Sequence, residues 1–235
     1  MEGFAGEFIG TILLLLLGSG VVANVVLQGT KGNNSGWIVI TFGWAMAVFI
    51  GVYVSVALGG SGHLNPAFTI ALSLFHDFDD SLVLPYAIAQ LSGAFIGSTL
   101  VWLIYKPHFD VTEDKDLKMA VFCTAPAIRH TFHNLLTEII GTFVLVFAAL
   151  ALSKPSDALG TLNALPVALV VLGIGLCLGG PTGYAINPAR DLGPRLAHFI
   201  LPISKKRDSD WSYAWIPVVG PIAGACLAVA IYNSI

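Results

Sequence analysis

Apolar residues run almost unbroken through six stretches of the chain, at about 4–27, 36–58, 83–105, 131–152, 162–179 and 211–233. Each is near the roughly 20 residues a helix needs to cross a hydrocarbon core. Polar residues collect between them. Segment 106–130 carries Asp110, Glu113, Asp114, Lys115, Asp116 and Lys118, and segment 201–210 carries Lys205, Lys206, Arg207, Asp208 and Asp210. Both read as solvated loops, as does 76–80 with His76, Asp77, Asp79 and Asp80. The pattern predicts an all-α membrane protein with six transmembrane helices.

Two further apolar stretches are too short to cross. One opens at Asn65-Pro66-Ala67 and the other at Asn187-Pro188-Ala189. Asn is a favoured N-cap, and Pro suits the first helical position, where its missing N–H costs nothing. A ten-residue helix from Pro66 to Phe75 rises about 15 Å, half of a core of about 30 Å. Two such re-entrant half-helices meeting end to end would complete one span. They would place two Asn side chains and two helix N-termini at the membrane centre. Irregular backbone at that depth is tolerated only where protein buries it or where it lines a water-filled path. The stretches before the half-helices are such backbone. Their carbonyls, from Ser61, Gly62, His63, Gly183, Tyr184 and Ala185, would form a ladder of acceptors, with Asn65 and Asn187 as central donors.

The two halves repeat. Glu7-Phe8-Ile9-Gly10-Thr11 matches Glu138-Ile139-Ile140-Gly141-Thr142, and Gly60 through Ala67 matches Gly180 through Ala189. Gln90-Leu91-Ser92-Gly93 matches Pro217-Val218-Val219-Gly220, with Gly97 against Gly224. Three spans plus a half-helix make an odd repeat, so the second copy enters from the opposite face, as in many transport proteins. The organisation expected is a single channel domain over 1–235, with inverted repeats at about 4–105 and 131–233 joined by 106–130. The four glycines serve close helix packing. Glu7 and Glu138, the acids inside the long spans, are expected to accept N–H groups from the non-helical backbone before each half-helix. Proton coupling is the alternative task for them. Arg190 lies one turn into the second half-helix, where a cation costs at least about 2.5–3.5 kcal/mol, so it should face a cavity. Arg195 reads as nearer the loop surface.

Composition agrees. The chain is 56% hydrophobic and 11% charged, against about 25% charged for a soluble domain, so most of its surface faces lipid. A net charge of −3 gives no basis for nucleic-acid binding. The first stretch lacks a basic leader and a small-residue cleavage site, and reads as a retained helix. Cys123, Cys177 and Cys226 show no metal spacing, and the latter two read as buried small hydrophobes. His130 and His133 stand three apart without a further ligand close by. No metal, cofactor or nucleophile–base pair is implied, which speaks against an enzyme. Two other classes remain: a coupled secondary transporter, and a scaffold with a closed pore.

These motifs resemble the major intrinsic protein family, the aquaporins and glycerol facilitators, over essentially the whole chain. The resemblance implies the aquaporin-like fold, one pore per chain and assembly as a homotetramer. Asn187-Pro188-Ala189-Arg190-Asp191-Leu192-Gly193-Pro194-Arg195 is similar to the glycerol-facilitator version of the motif, with Asp191 as the subfamily marker and Pro217-Val218 in agreement. It implies a selectivity filter at Trp44, Gly175, Tyr184 and Arg190. Trp44 depends on a one-residue gap in the 58–63 loop, and Phe42 is the alternative. Gly175 is expected to widen the opening, while Trp44 and Tyr184 offer an apolar corner and Arg190 donates to hydroxyls. The implied activity is passive conduction of glycerol and other small neutral solutes, with water, excluding ions and protons; a water-selective, peroxide-conducting or lactic-acid-conducting pore is the alternative. The location implied is the cell membrane, multi-pass and lipid-embedded, with both termini cytoplasmic. Loop charge points the other way. Lys31, Lys106, Lys115, Lys118, Arg129, Lys205, Lys206 and Arg207 fall on the face opposite the N-terminus, and Lys154 on the N-terminal face, whereas short basic loops are usually cytoplasmic.

Overall fold

The computed structural model describes residues 3–75, 78–152 and 162–235. His76, Asp77 and Lys154 lie outside the described residues. Helices account for the regular structure among them: α1 (Phe4–Val26), α2 (Trp37–Ala57), α3 (Pro66–Leu74), α4 (Val83–Val111), α5 (Lys115–Ala120), α6 (Thr131–Leu152), α7 (Leu165–Cys177), α8 (Pro188–Ile200) and α9 (Ile216–Tyr232).

Four helices are long and apolar enough to cross a membrane: α1, α2, α6, and α4 with the short 3₁₀ turn Asp80–Leu82 before it. Spans five and six are shorter than expected from 162–179 and 211–233, at 13 and 17 residues. The reasons are local. α7 ends at Cys177, shortly before Gly179-Gly180-Pro181, where proline cannot continue a helical ladder. Residues 211–215 form turns instead of helix, and α9 begins only where Pro217 can occupy its first turn.

The charged segments are not simply solvated. α4 continues six residues past the expected end, from Tyr105 to Val111, aided by a Lys106–Asp110 pair at i, i+4. Beyond it, Lys118, Met119, Val121, Phe122 and Cys123 are buried. Lys118 reaches the Ser204 carbonyl at 2.6 Å with its Nζ, so its charge does not prevent burial of its stem. In the 201–210 loop Ser209 and Asp210 are buried, and Lys206 Nζ donates to the carbonyls of His198, Phe199 and Leu201 at the end of α8. Cys177 is exposed on the helix surface and Cys226 partly so, contrary to the burial expected of both.

Packing comes in matching sets. α1 lies against α2 and α4, and α6 lies against α7 and α9. α3 packs on α9, as α8 packs on α4, and α2 meets α7. Glycines make the closest approaches. A Cβ at Gly97 would lie 2.5 Å from the Ile12 carbonyl oxygen, and one at Gly224 would lie 2.2 Å from that of Ile139. Both clashes are with backbone, which cannot swing away. Gly173, by contrast, faces open space. Gly224→Ala should therefore destabilise the fold by about 1–3 kcal/mol through overpacking. Gly173→Ala should be neutral or gain up to about 1 kcal/mol in helix propensity. Thermal unfolding of the two variants in detergent reads the contrast, and equal melting points would refute the packing argument.

Candidate functional site

α3 and α8 meet through their N-termini. Asn65 caps α3 by accepting from Ala67 N at 3.0 Å, and Asn187 caps α8 by accepting from Ala189 N at 2.9 Å and Arg190 N at 3.2 Å. Each amide group then crosses to the other segment. Asn65 Nδ2 donates to Ile186 O at 2.8 Å, and Asn187 Nδ2 donates to Leu64 O at 2.7 Å.

The backbone leading into each cap is contorted. Leu64, Tyr184 and Ile186 have φ of 49°, 40° and 44°. That region costs a non-glycine residue roughly 1–3 kcal/mol. Buried carboxylates hold these turns in place. Glu7 accepts from His63 N at 3.0 Å and Leu64 N at 2.8 Å. Glu138 accepts from Ala185 N at 3.0 Å and Ile186 N at 2.8 Å. Ser55 Oγ and Gln90 Nε2 also donate to Glu7. A buried hydrogen bond to a charged group contributes about 1.5–3 kcal/mol, enough to offset the strain. Ser55 carries no signal in the sequence, and Gln90 enters it only as part of the repeat. Gln90 stands where the second repeat has Pro217, and that mismatch was its one available signal.

A cavity of about 350 Å³ runs along this junction. Its wall includes Asn65, Asn187, Trp44, Tyr184 and Arg190, with residues from both irregular segments. Of the six expected ladder residues, Ser61, Gly62, His63, Tyr184 and Ala185 line it and Gly183 does not; Leu64 and Ile186 do. The latter two carry large apolar side chains, and nothing in the sequence signals that their carbonyls meet the Asn amides.

Toward the α7 end the cavity is flanked by aromatic rings. Trp44 is buried, and the Arg190 guanidinium carbon sits 4.1 Å from its ring centre. Phe42, the alternative, is 54% exposed. Tyr184 changes the expectation for Gly175. A Cβ on Gly175 would lie 2.9 Å from the Tyr184 Cζ, so the space that glycine leaves is taken by the tyrosine ring instead of being left open.

Arg195 is fully buried, against the surface position expected for it. It pairs with Asp191 at 2.8 Å through Nε and donates to the carbonyls of Ser209, Asp210 and Thr124. Asp191 in turn accepts from Thr124 N at 2.8 Å and Thr124 Oγ1 at 2.7 Å. With every charged atom hydrogen-bonded, this buried pair escapes the penalty of an unpaired charge. It ties the first turns of α8 to the segments at 124 and 209–210. His130 and His133 are exposed, with their Nδ1 atoms 2.9 Å apart. Among the described residues no three His, Cys, Asp or Glu side chains group as metal ligands.

Facing half-helices, crossed Asn amides and a cavity between them define a membrane channel architecture. Comparison agrees: the profile of the family "Major intrinsic protein" matches residues 1–232. A Thermotoga maritima protein named "Probable glycerol uptake facilitator protein" is 56% identical over 233 residues, covering 99% of each chain. A "Glycerol uptake facilitator protein" of Streptococcus pneumoniae is 54% identical over 233 residues, again covering 99% of each. The X-ray structure of the aquaglyceroporin from Plasmodium falciparum superposes with a TM-score of 0.87 at 32% identity, over 99% of this chain and 95% of that one. The chain belongs to the major intrinsic protein family and has the aquaporin-like fold. It is a multi-pass membrane protein of a family of channels and facilitators, not of enzymes.

Replacing Glu138 with Gln keeps the shape but aims an NH₂ at one of two backbone donors. Glu138→Gln should lower stability by about 1.5–3 kcal/mol, read as the unfolding midpoint in detergent. An unchanged midpoint would mean that other groups hold the 184–186 backbone.

Proposed function

We propose that this chain is a passive channel for glycerol and other small neutral solutes, with water, and that it excludes ions and protons. The observation that carries this reading is the two-faced wall of the cavity. Arg190 lies against Trp44, and Tyr184 shares the same wall. A polyol has a matching surface, with carbon on one side for the aromatic rings and hydroxyls on the other for guanidinium and carbonyl groups. The filter in this reading is Trp44, Gly175, Tyr184 and Arg190, with Gly175 acting as the seat of Tyr184. The names of the relatives support glycerol as the solute.

Conduction follows from substitution of hydrogen bonds. A solute gives up water for the carbonyls of the two irregular segments and for the central amides of Asn65 and Asn187. Cations meet two half-helix N-termini, each equivalent to about half a positive charge, and Arg190 besides. Donors and dipole ends of this kind reject cations and protons while passing neutral molecules. The whole chain then acts as one channel unit of two inverted repeats, 4–105 and 131–233, in the cell membrane. We take it as a homotetramer with both termini cytoplasmic, following the family against the loop-charge bias. A proton-coupled transporter is disfavoured, since both candidate carboxylates already accept backbone N–H groups.

Stopped-flow light scattering on proteoliposomes tests the reading. Fast glycerol entry together with water flow is expected. Water flow with glycerol excluded would make it a water channel, concentrative uptake a coupled transporter, and no flux at all a scaffold. Arg190→Val should raise conductance to protons or ions; a pore that stays ion-tight would remove Arg190 from the assigned role.

A further inference from the structure

We propose that Trp37 is a positioning residue that sets the width of the constriction by fixing the ring of Tyr184. This rests on the channel reading above and adds a residue that the sequence did not single out.

Trp37 begins α2, and the residue is 41% exposed. By exposure alone it would pass as an anchor at the membrane surface. Its contacts say otherwise. Trp37 Nε1 donates to the Gly175 carbonyl at 2.9 Å. That carbonyl is among the last four of α7, which have no partner inside their own helix. The indole therefore caps α7 from a different helix and fixes where the two approach. The same indole meets the Tyr184 ring edge-on, with centroids 5.8 Å apart and planes at 79°.

Tyr184 belongs to the buried apolar core. Its hydroxyl has no hydrogen-bond partner among the described residues, although the residue is 4% exposed. Packing alone locates the ring. A Cβ on Gly175 would lie 2.9 Å from Tyr184 Cζ, and one on Gly179 would lie 2.6 Å from Tyr184 Cδ1 and 2.9 Å from Trp37 Cζ2. Two glycines form the floor of this seat and the Trp37 edge forms its side. Remove the indole and the ring gains room to retreat from the cavity it lines. The opening then widens where Tyr184 lines the cavity.

The test is a size series through proteoliposomes: water, ethylene glycol, glycerol, erythritol and ribitol, with wild type, Trp37→Phe and Trp37→Leu. The readout is the permeability ratio of the first excluded polyol to the last admitted one, per folded channel. Trp37→Leu loses both the hydrogen bond and the aromatic edge and should raise that ratio by more than about fivefold, that factor being the population change that loss of one hydrogen bond allows. Trp37→Phe keeps an aromatic edge without the N–H and should raise it less. In a Tyr184→Ala background, Trp37→Leu should add nothing, since interacting residues are non-additive. A purely structural Trp37 would lower total flux and leave the ratio alone, which would overturn the proposal. So would an equal change of ratio with and without the Tyr184 ring. Should Trp37→Leu not fold, Trp37→Phe reads the same ratio and decides by itself. Wild type that excludes glycerol would overturn the glycerol reading but leave a lower cut-off to be shifted, so the two failures are distinguishable.

Discussion

The structure depends on how two stretches of non-helical backbone survive inside a membrane protein. Water cannot satisfy their N–H groups from the lipid side, and each unsatisfied group would cost several kcal/mol. Glu7 and Glu138 meet that need from behind, one carboxylate for each pair of N–H groups. Asn65 and Asn187 complete it at the junction, each serving its own helix and the opposite strand of backbone at once. With these donors engaged, and the Leu64 and Ile186 carbonyls taken by the Asn amides, the remaining acceptors are left, in the proposed reading, for whatever occupies the cavity. The left-handed turns at Leu64, Tyr184 and Ile186 follow from that arrangement.

Much of this was legible in the sequence, because the features that carry it are short, polar and placed where polar residues are costly. Paired Asn-Pro-Ala motifs, paired glutamates in apolar spans and an arginine at membrane depth each stand out against a lipid-facing background. The all-α class and the half-helices follow from length and caps. Contact is what the sequence hides. Charge density along 106–124 suggested water, yet Lys118 is buried because its tip finds the Ser204 carbonyl. Arg195 looked peripheral, yet Asp191 one turn before it makes burial tolerable. An apolar span predicted from hydropathy has no marked end, so the turns at 211–215 were absorbed into a helix that starts only at Ile216.

Gly175 shows the limit in another way. An absent side chain suggests an opening, but a folded chain fills such gaps to near crystal density. Which neighbour fills it depends on residues far apart in sequence, here Tyr184, with Trp37 bonded to the same glycine from 138 positions away. In the proposed filter the width of the opening is thus a property of a packed group of side chains.

The two half-helices are capped alike but are not alike as electrical objects. At the far end of α8, Lys206 places its ammonium on the carbonyls of His198, Phe199 and Leu201. Those carbonyls are the negative pole of the helix. With that pole neutralised from outside, α8 no longer acts on the membrane centre as a dipole whose two ends partly cancel. It acts more nearly as a lone positive pole, whose field falls off more slowly with distance. In the proposed mechanism, a lysine at the far end of the helix thereby adds to the field that a cation would meet a full helix length away, without touching the path the cation would take.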